Sequence, residues 1–94
     1  MKNKRRIEIY PTDRIAKYKI SEFHDKNAEF ISFYDLGMKT LCYKGIYIGF
    51  RGETYSRRLE GLQFDELYVH PDCKYRGAYI LSALTNGAKI VYKV

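Results

Sequence analysis

Ile7 and Ile9 alternate with Arg6, Glu8 and Tyr10, the period-2 pattern of a half-buried strand, and Pro11-Thr12-Asp13 punctuates its end. The next stretch carries two periods at once. Ala16, Tyr18 and Ile20 alternate with Lys17, Lys19 and Ser21, whereas Ala16, Ile20 and Phe23 share one face of a helix. A strand over residues 14–23 is the preferred reading, and residues 14–27 are the least determined part of the chain. After a polar break at residues 24–27, residues 29–34 read as a strand rich in aromatic and β-branched side chains. Asp35-Leu36-Gly37 turns the chain, and two apolar runs within residues 40–50 flank Lys44-Gly45, which predicts a hairpin whose glycine supplies a positive φ. Residues 51–61 are polar, with Leu59 their clearest anchor, and predict a loop or a helical turn or two.

The last third is more regular. A strand is predicted at Leu67-Tyr68-Val69, ended by Pro71-Asp72, with Asp72 placed to cap a helix. Cys73, Gly77, Ile80, Leu81 and Leu84 then fall on one helical face, Asn86-Gly87 forms a stop signal, and residues 88–94 read as a final strand. Strand, helix and strand make a βαβ unit, with parallel strands and a right-handed crossover. The expected fold class is α/β, with α+β as the alternative: a small single-layer mixed sheet with a C-terminal βαβ unit. Leu67, Val69, Ile80, Leu81, Leu84, Ile90 and Val91 are its expected core.

At 94 residues, one domain spanning 1–94 is the expectation, since a second core needs a longer chain. A hydrophobic fraction of 46% excludes a disordered chain. Ten tyrosines and five phenylalanines serve equally in a core, a protein interface or a base-stacking surface. Seventeen Lys and Arg against eleven Asp and Glu leave a formal charge of +6, which favours a polyanionic partner: nucleic acid, an acidic protein surface or an anionic membrane. The membrane loses ground because no apolar run approaches the roughly 18 to 20 residues of a spanning helix. The basic start, Met1 to Arg6, leads into Ile7-Glu8-Ile9 without the apolar stretch of a secretory signal, so a cytoplasmic protein is expected. Cys42 and Cys73 fit that compartment as free thiols.

Chemistry-bearing residues are sparse. His70 and Cys73 form one close pair, with His24, Asp25 and Cys42 remote, whereas zinc takes about four ligands in two such pairs. Cys73 falls on the expected buried face of its helix, poorly placed for nucleophilic work. Asp65 and Glu66 point to opposite sides of an extended segment, unsuited to acid and base roles on one substrate. The expectation is therefore no catalytic residue, no metal and no cofactor.

Two resemblances bear on function. Gly49-Phe50-Arg51-Gly52, followed by Tyr55, Arg57, Arg58 and Leu59, resembles the glycine loop of KH-type RNA-binding domains, where two glycines admit a phosphate backbone. It departs from that family at the bulky Phe50 and in the strand, not helix, that precedes it. Gly45-Ile46-Tyr47-Ile48-Gly49-Phe50-Arg51-Gly52, Arg58-Leu59-Glu60-Gly61 and Phe64-Asp65-Glu66-Leu67-Tyr68-Val69-His70 together resemble the Walker B neighbourhood of P-loop ATPases, particularly the large terminase subunits of phages. No Gly-x-x-x-x-Gly-Lys-Ser/Thr loop accompanies them, and Val69-His70-Pro71 stands where that family ends its strand in metal-binding acids. The resemblance then implies an inactive core fragment that hydrolyses no nucleotide.

Arg51, Arg57 and Arg58 lie on one expected loop, and Lys74 and Arg76 stand at the start of the C-terminal helix, where backbone N–H groups and the helix dipole also favour an anion. Tyr47, Tyr55 and Tyr75 offer rings for stacking. The expected function is that of a small, non-catalytic basic protein contacting nucleic-acid phosphates. The alternative is a protein-binding inhibitor or adaptor acting on a host enzyme or defence system. The terminase-like segment and the richness in Lys, Ile and Tyr suggest a phage or mobile-element accessory in either case.

Overall fold

The ambiguous stretch after the first strand folds as a helix. In the computed structural model, which describes residues 4–53 and 64–92, β1 (Arg5–Tyr10) is followed directly by α1 (Asp13–Asn27). Thr12 is extended and its hydroxyl accepts from the Ile15 N–H at 3.1 Å, so the residues that end the strand also cap the helix. Asp13 in the first turn and Lys26 in the last complement the helix dipole. Ala16 and Ile20 are fully buried while Tyr18 is exposed. The helical period therefore prevails over the alternating one, correcting the strand expected over residues 14–23.

A short 3-10 turn (Ala28–Phe30) leads into β2 (Ile31–Asp35), β3 (Thr40–Tyr43) and β4 (Ile46–Gly52). Lys44 and Gly45, both at positive φ, close the β3–β4 hairpin with the left-handed pair that two-residue turns favour. β5 (Glu66–Val69), α2 (Arg76–Thr85) and β6 (Lys89–Ile90) complete the described elements. The strands form one mixed sheet in the order β2-β3-β4-β1-β5-β6. β4, β1, β5 and β6 run parallel, and the β2–β3–β4 meander is antiparallel. The fold is thus of the α/β type, with the expected βαβ unit at β5-α2-β6.

Among the described residues, each face of the sheet carries one helix. Ile7 and Ile9 of β1 pack with Leu67, Val69, Tyr79 and Ala83 under α2, while Tyr10 packs with Ile48, Phe50, Ala16 and Ile20 under α1. β1 is consequently buried on both faces, where its alternation suggested burial on one, and even Glu8 is fully covered. α2 also differs from expectation in rotation. Its buried side is Tyr79 and Ala83, with Ile80 at the margin, whereas Leu81 and Leu84 are 67% and 58% exposed and Gly77 is exposed. Ala83 lets the helix approach the sheet closely, and Tyr79 sends its hydroxyl to Glu53, which together turn the two leucines outward. Asp72 does not cap the helix, since the N-cap position is Tyr75 and has no side-chain bond. Gly87, at φ +79, ends α2 as Asn86-Gly87 predicts, with the Ala88 N–H reaching back to the Ala83 carbonyl at 2.9 Å.

Candidate functional site

α2 covers β5, β6 and part of β1, but no described helix crosses the same face over β4, β3 and β2. Register places Arg5, Ile7 and Ile9 beside Tyr47, Gly49 and Arg51, and Gly49 and Tyr47 beside Thr40 and Cys42. Phe33 of β2 lies next to Cys42. Residues two apart share a face, so this open side carries two arginines, two aromatic rings and a glycine. A depression of about 280 Å³ lies there, lined by Arg5, Arg6, Ile7, Met38, Thr40, Tyr47, Gly49, Arg51 and Phe64. Phe33 and Tyr47 are 42% and 36% exposed, their ring centroids 6.3 Å apart and inclined at 53°. Among the described residues, neither the Arg5 nor the Arg51 guanidinium has an acidic side-chain partner, although the Arg5 backbone N–H donates to the Asp65 carboxylate.

Arg6, next in sequence to Arg5, faces the other way. Its guanidinium lies 3.0 Å from Glu66 and 3.7 Å from the buried Glu8, whose carboxylate also accepts from the Tyr10 hydroxyl at 2.6 Å. Burial, and then the Glu8 charge, push the Tyr10 phenol far above its ordinary range, so it stays a donor. Asp65 instead accepts from the Arg5 backbone N–H at 3.0 Å. The two adjacent carboxylates thus serve separate structural contacts, with no shared substrate position between them.

The expected basic positions divide. Arg51 and Tyr47 sit on the open face. Arg57, Arg58 and Tyr55 lie outside the described residues. Lys74, Tyr75 and Arg76 stand beyond the carboxyl end of β5. Lys74 Nζ lies 5.6 Å from the centroid of the Tyr75 ring, and Arg76 Nε donates to the Val69 carbonyl at 3.5 Å. The anion seat expected beside α2 is taken by the chain itself, because Glu53 accepts from the backbone N–H groups of Lys74 and Tyr75 at 2.8 Å each and from the Tyr79 hydroxyl at 3.3 Å. Burial pushes the Glu53 carboxyl up, but these three bonds and the Lys74 charge outweigh it and hold the group below its ordinary range.

Parallel sheets bind ligands at the carboxyl ends of strands whose connections diverge, here β1 and β5. Own-chain groups occupy that crevice: Glu53 on α2, and Lys39 on Asp13 at 2.8 Å. Cys73 donates to the Ile9 carbonyl at 3.4 Å, and burial, with the Glu53 charge next, pushes its thiol up to about 11. It is therefore a neutral thiol near pH 7, a poor nucleophile. Among the described residues no group of three His, Cys, Asp or Glu side chains is placed to hold a metal ion. The Gly49-Phe50-Arg51-Gly52 segment belongs to β4 with Phe50 in the core, which corrects its reading as a glycine loop.

No family model, curated protein or solved structure matches this chain. The sequence pointed to Arg51 and Tyr47 but missed Arg5 and Phe33. The alternation of β1 already set Arg5 on the side of Ile7 and Ile9, yet only the parallel pairing with β4 brings it beside Tyr47. No described helix is long and apolar enough to cross a membrane.

Proposed function

We propose that this protein is a small, non-catalytic basic domain that binds nucleic acid across the open face of β4, β3 and β2. The observation that carries the reading is the pairing of Arg5 and Arg51 with Tyr47 and Phe33 on one surface that no described helix covers. The two arginines stand four residues apart in register, about 13 Å along the strands, so they reach different phosphates of one chain while the rings offer stacking surfaces between them. Arg57, Arg58, Lys74 and Arg76 add to the positive charge of the chain, and its formal charge of +6 steers a polyanion towards the protein. The Walker B resemblance is carried as an ancestral trace in a phage or mobile-element protein working in the cytoplasm, without nucleotide hydrolysis.

The test is the salt dependence of binding to a single-stranded oligonucleotide. Each phosphate contact contributes about 0.7 to the slope of log affinity against log salt for a single strand. The Arg5→Ala/Arg51→Ala variant should therefore lose affinity on every sequence and flatten the slope by about 1.4. An unchanged slope in the folded variant would remove this face from the reading.

Exposed Phe30, Leu36 and Met38 around the β2–β3 hairpin favour a second reading, that of an inhibitor or adaptor docking on a protein. Its binding should be nearly independent of salt and should fail on Met38→Asp rather than on loss of the arginines.

A further inference from the structure

Gly49 lies in the interior of β4, between Ile7 of β1 and Thr40 of β3. A glycine weakens a strand interior and usually marks a positive φ or a close backbone approach. Gly49 has neither: among the described glycines the positive φ values are at Gly45 and Gly87, and a Cβ added at Gly49 meets nothing within 4 Å. Gly52, three residues on, is the contrast, since a Cβ there would collide with the backbone of Thr12 and Asp13. Gly49 lines the depression of about 280 Å³, and its missing side chain leaves space there. An apolar cavity of about 150 Å³ takes up benzene, so this one has room for a two-ring base.

We propose that the depression at Gly49 seats one unpaired base of a single-stranded nucleic acid, its backbone running between Arg5 and Arg51. The inference rests on the reading of this face as a nucleic-acid surface, and it makes the single strand, not the duplex, the ligand class. Ile7 and Met38 give the seat apolar walls, and Tyr47 stands two residues from Gly49 on the same face with a ring to stack on. The backbone donors and acceptors around Gly49 are engaged in the sheet ladders. The seat therefore selects a flat ring by shape and stacking and discriminates weakly among bases. A paired base cannot enter, because its faces are covered by its neighbours in the stack.

Fluorescence anisotropy with a short oligo-dA strand and a dA·dT duplex of equal length tests this on the wild type, Gly49→Val, Gly49→Ala and Tyr47→Leu. Valine suits a strand and its Cβ meets nothing within 4 Å here, so the variant should melt close to the wild type. The wild type should prefer the single strand. Gly49→Val should lose roughly 5- to 150-fold in single-strand affinity, the equivalent of one stacked base, with duplex affinity and salt slope unchanged. Gly49→Ala should lose less, and Tyr47→Leu should reproduce the loss without filling the seat. A folded Gly49→Val that keeps the single-strand preference, or a wild type that binds both ligands equally, overturns the base seat while leaving phosphate binding in place. Failure of the wild type to bind either ligand at low salt overturns the functional reading, and the seat with it.

Discussion

Glu53→Gln tests how the β4 end is fastened to α2. The carboxylate accepts two backbone N–H bonds at 2.8 Å and one hydroxyl bond at 3.3 Å. Hydrogen bonds to a charged group contribute about 1.5 to 3 kcal/mol each when well sheltered. Glu53 is only half-buried, so solvent screening discounts that range. Glutamine keeps one acceptor for one N–H and loses the charge. The expected loss is about 1 to 2 kcal/mol at neutral pH, or at least about 4 °C in melting temperature for a domain of this size. The folded-state pKa of Glu53 is depressed from its ordinary value of 4.5, so its contribution is complete above that value and is lost as pH falls through the lower folded value. Thermal melts by far-ultraviolet circular dichroism should show a gap between wild type and variant at neutral pH that narrows in acid. Equal melting at neutral pH, within about 0.5 kcal/mol, would mean that α2 is not held by Glu53. A gap that persists unchanged in strong acid would assign the loss to something other than the carboxylate charge.

Other substitutions separate the observed packing from its alternatives. Leu84→Ala should change stability by less than about 0.5 kcal/mol, since Leu84 is exposed, while Ala83→Leu should cost about 1 to 3 kcal/mol; urea unfolding giving the reverse ranking would put the other face of α2 against the sheet. Gly52→Ala should destabilise by at least about 1 kcal/mol in the same assay, because its Cβ would meet the backbone of Thr12 and Asp13; a neutral effect would detach β4 from the start of α1. Cys73, neutral at neutral pH and buried, should react with iodoacetamide far more slowly in the native protein than in urea, and equal rates would contradict its bond to the Ile9 carbonyl.

Much of the fold was legible where local chemistry leaves one option. Lys44-Gly45 and Asn86-Gly87 are turn and cap signals that act within a few residues, and the glycine of each has a positive φ as the sequence implies. Residues 14–23 were not legible, because two hydrophobic periods overlapped and the decision rested on Tyr18, whose ring is as stable in water as in a core margin. The Thr12-Asp13 pair held the missing signal, since a threonine preceding an acid caps a helix as readily as it ends a strand. The rotation of α2 was hidden for a related reason. Counting leucines favours the side with Leu81 and Leu84, whereas the sheet accepts the small Ala83 and a tyrosine whose hydroxyl finds a carboxylate.

The candidate site was legible in part, and the part that escaped shows what decides it. Clustering in sequence selected Arg51, Arg57, Arg58, Lys74 and Arg76, and the structure places Arg51 on the open face but finds the helix start beside Lys74 already neutralised by Glu53. Arg5 and Arg6 are adjacent and chemically identical, yet the pleat sends Arg6 into Glu66 and Glu8 and leaves the Arg5 guanidinium beside Tyr47 without an acidic partner among the described residues. A slip of β1 by one residue would exchange the two. It would also turn Ile7 and Ile9 away from α2 and bring Glu8 out from beneath α1. The burial of the isoleucines therefore fixes which arginine faces outward, and the positive character of the face follows from core packing at positions that carry no charge.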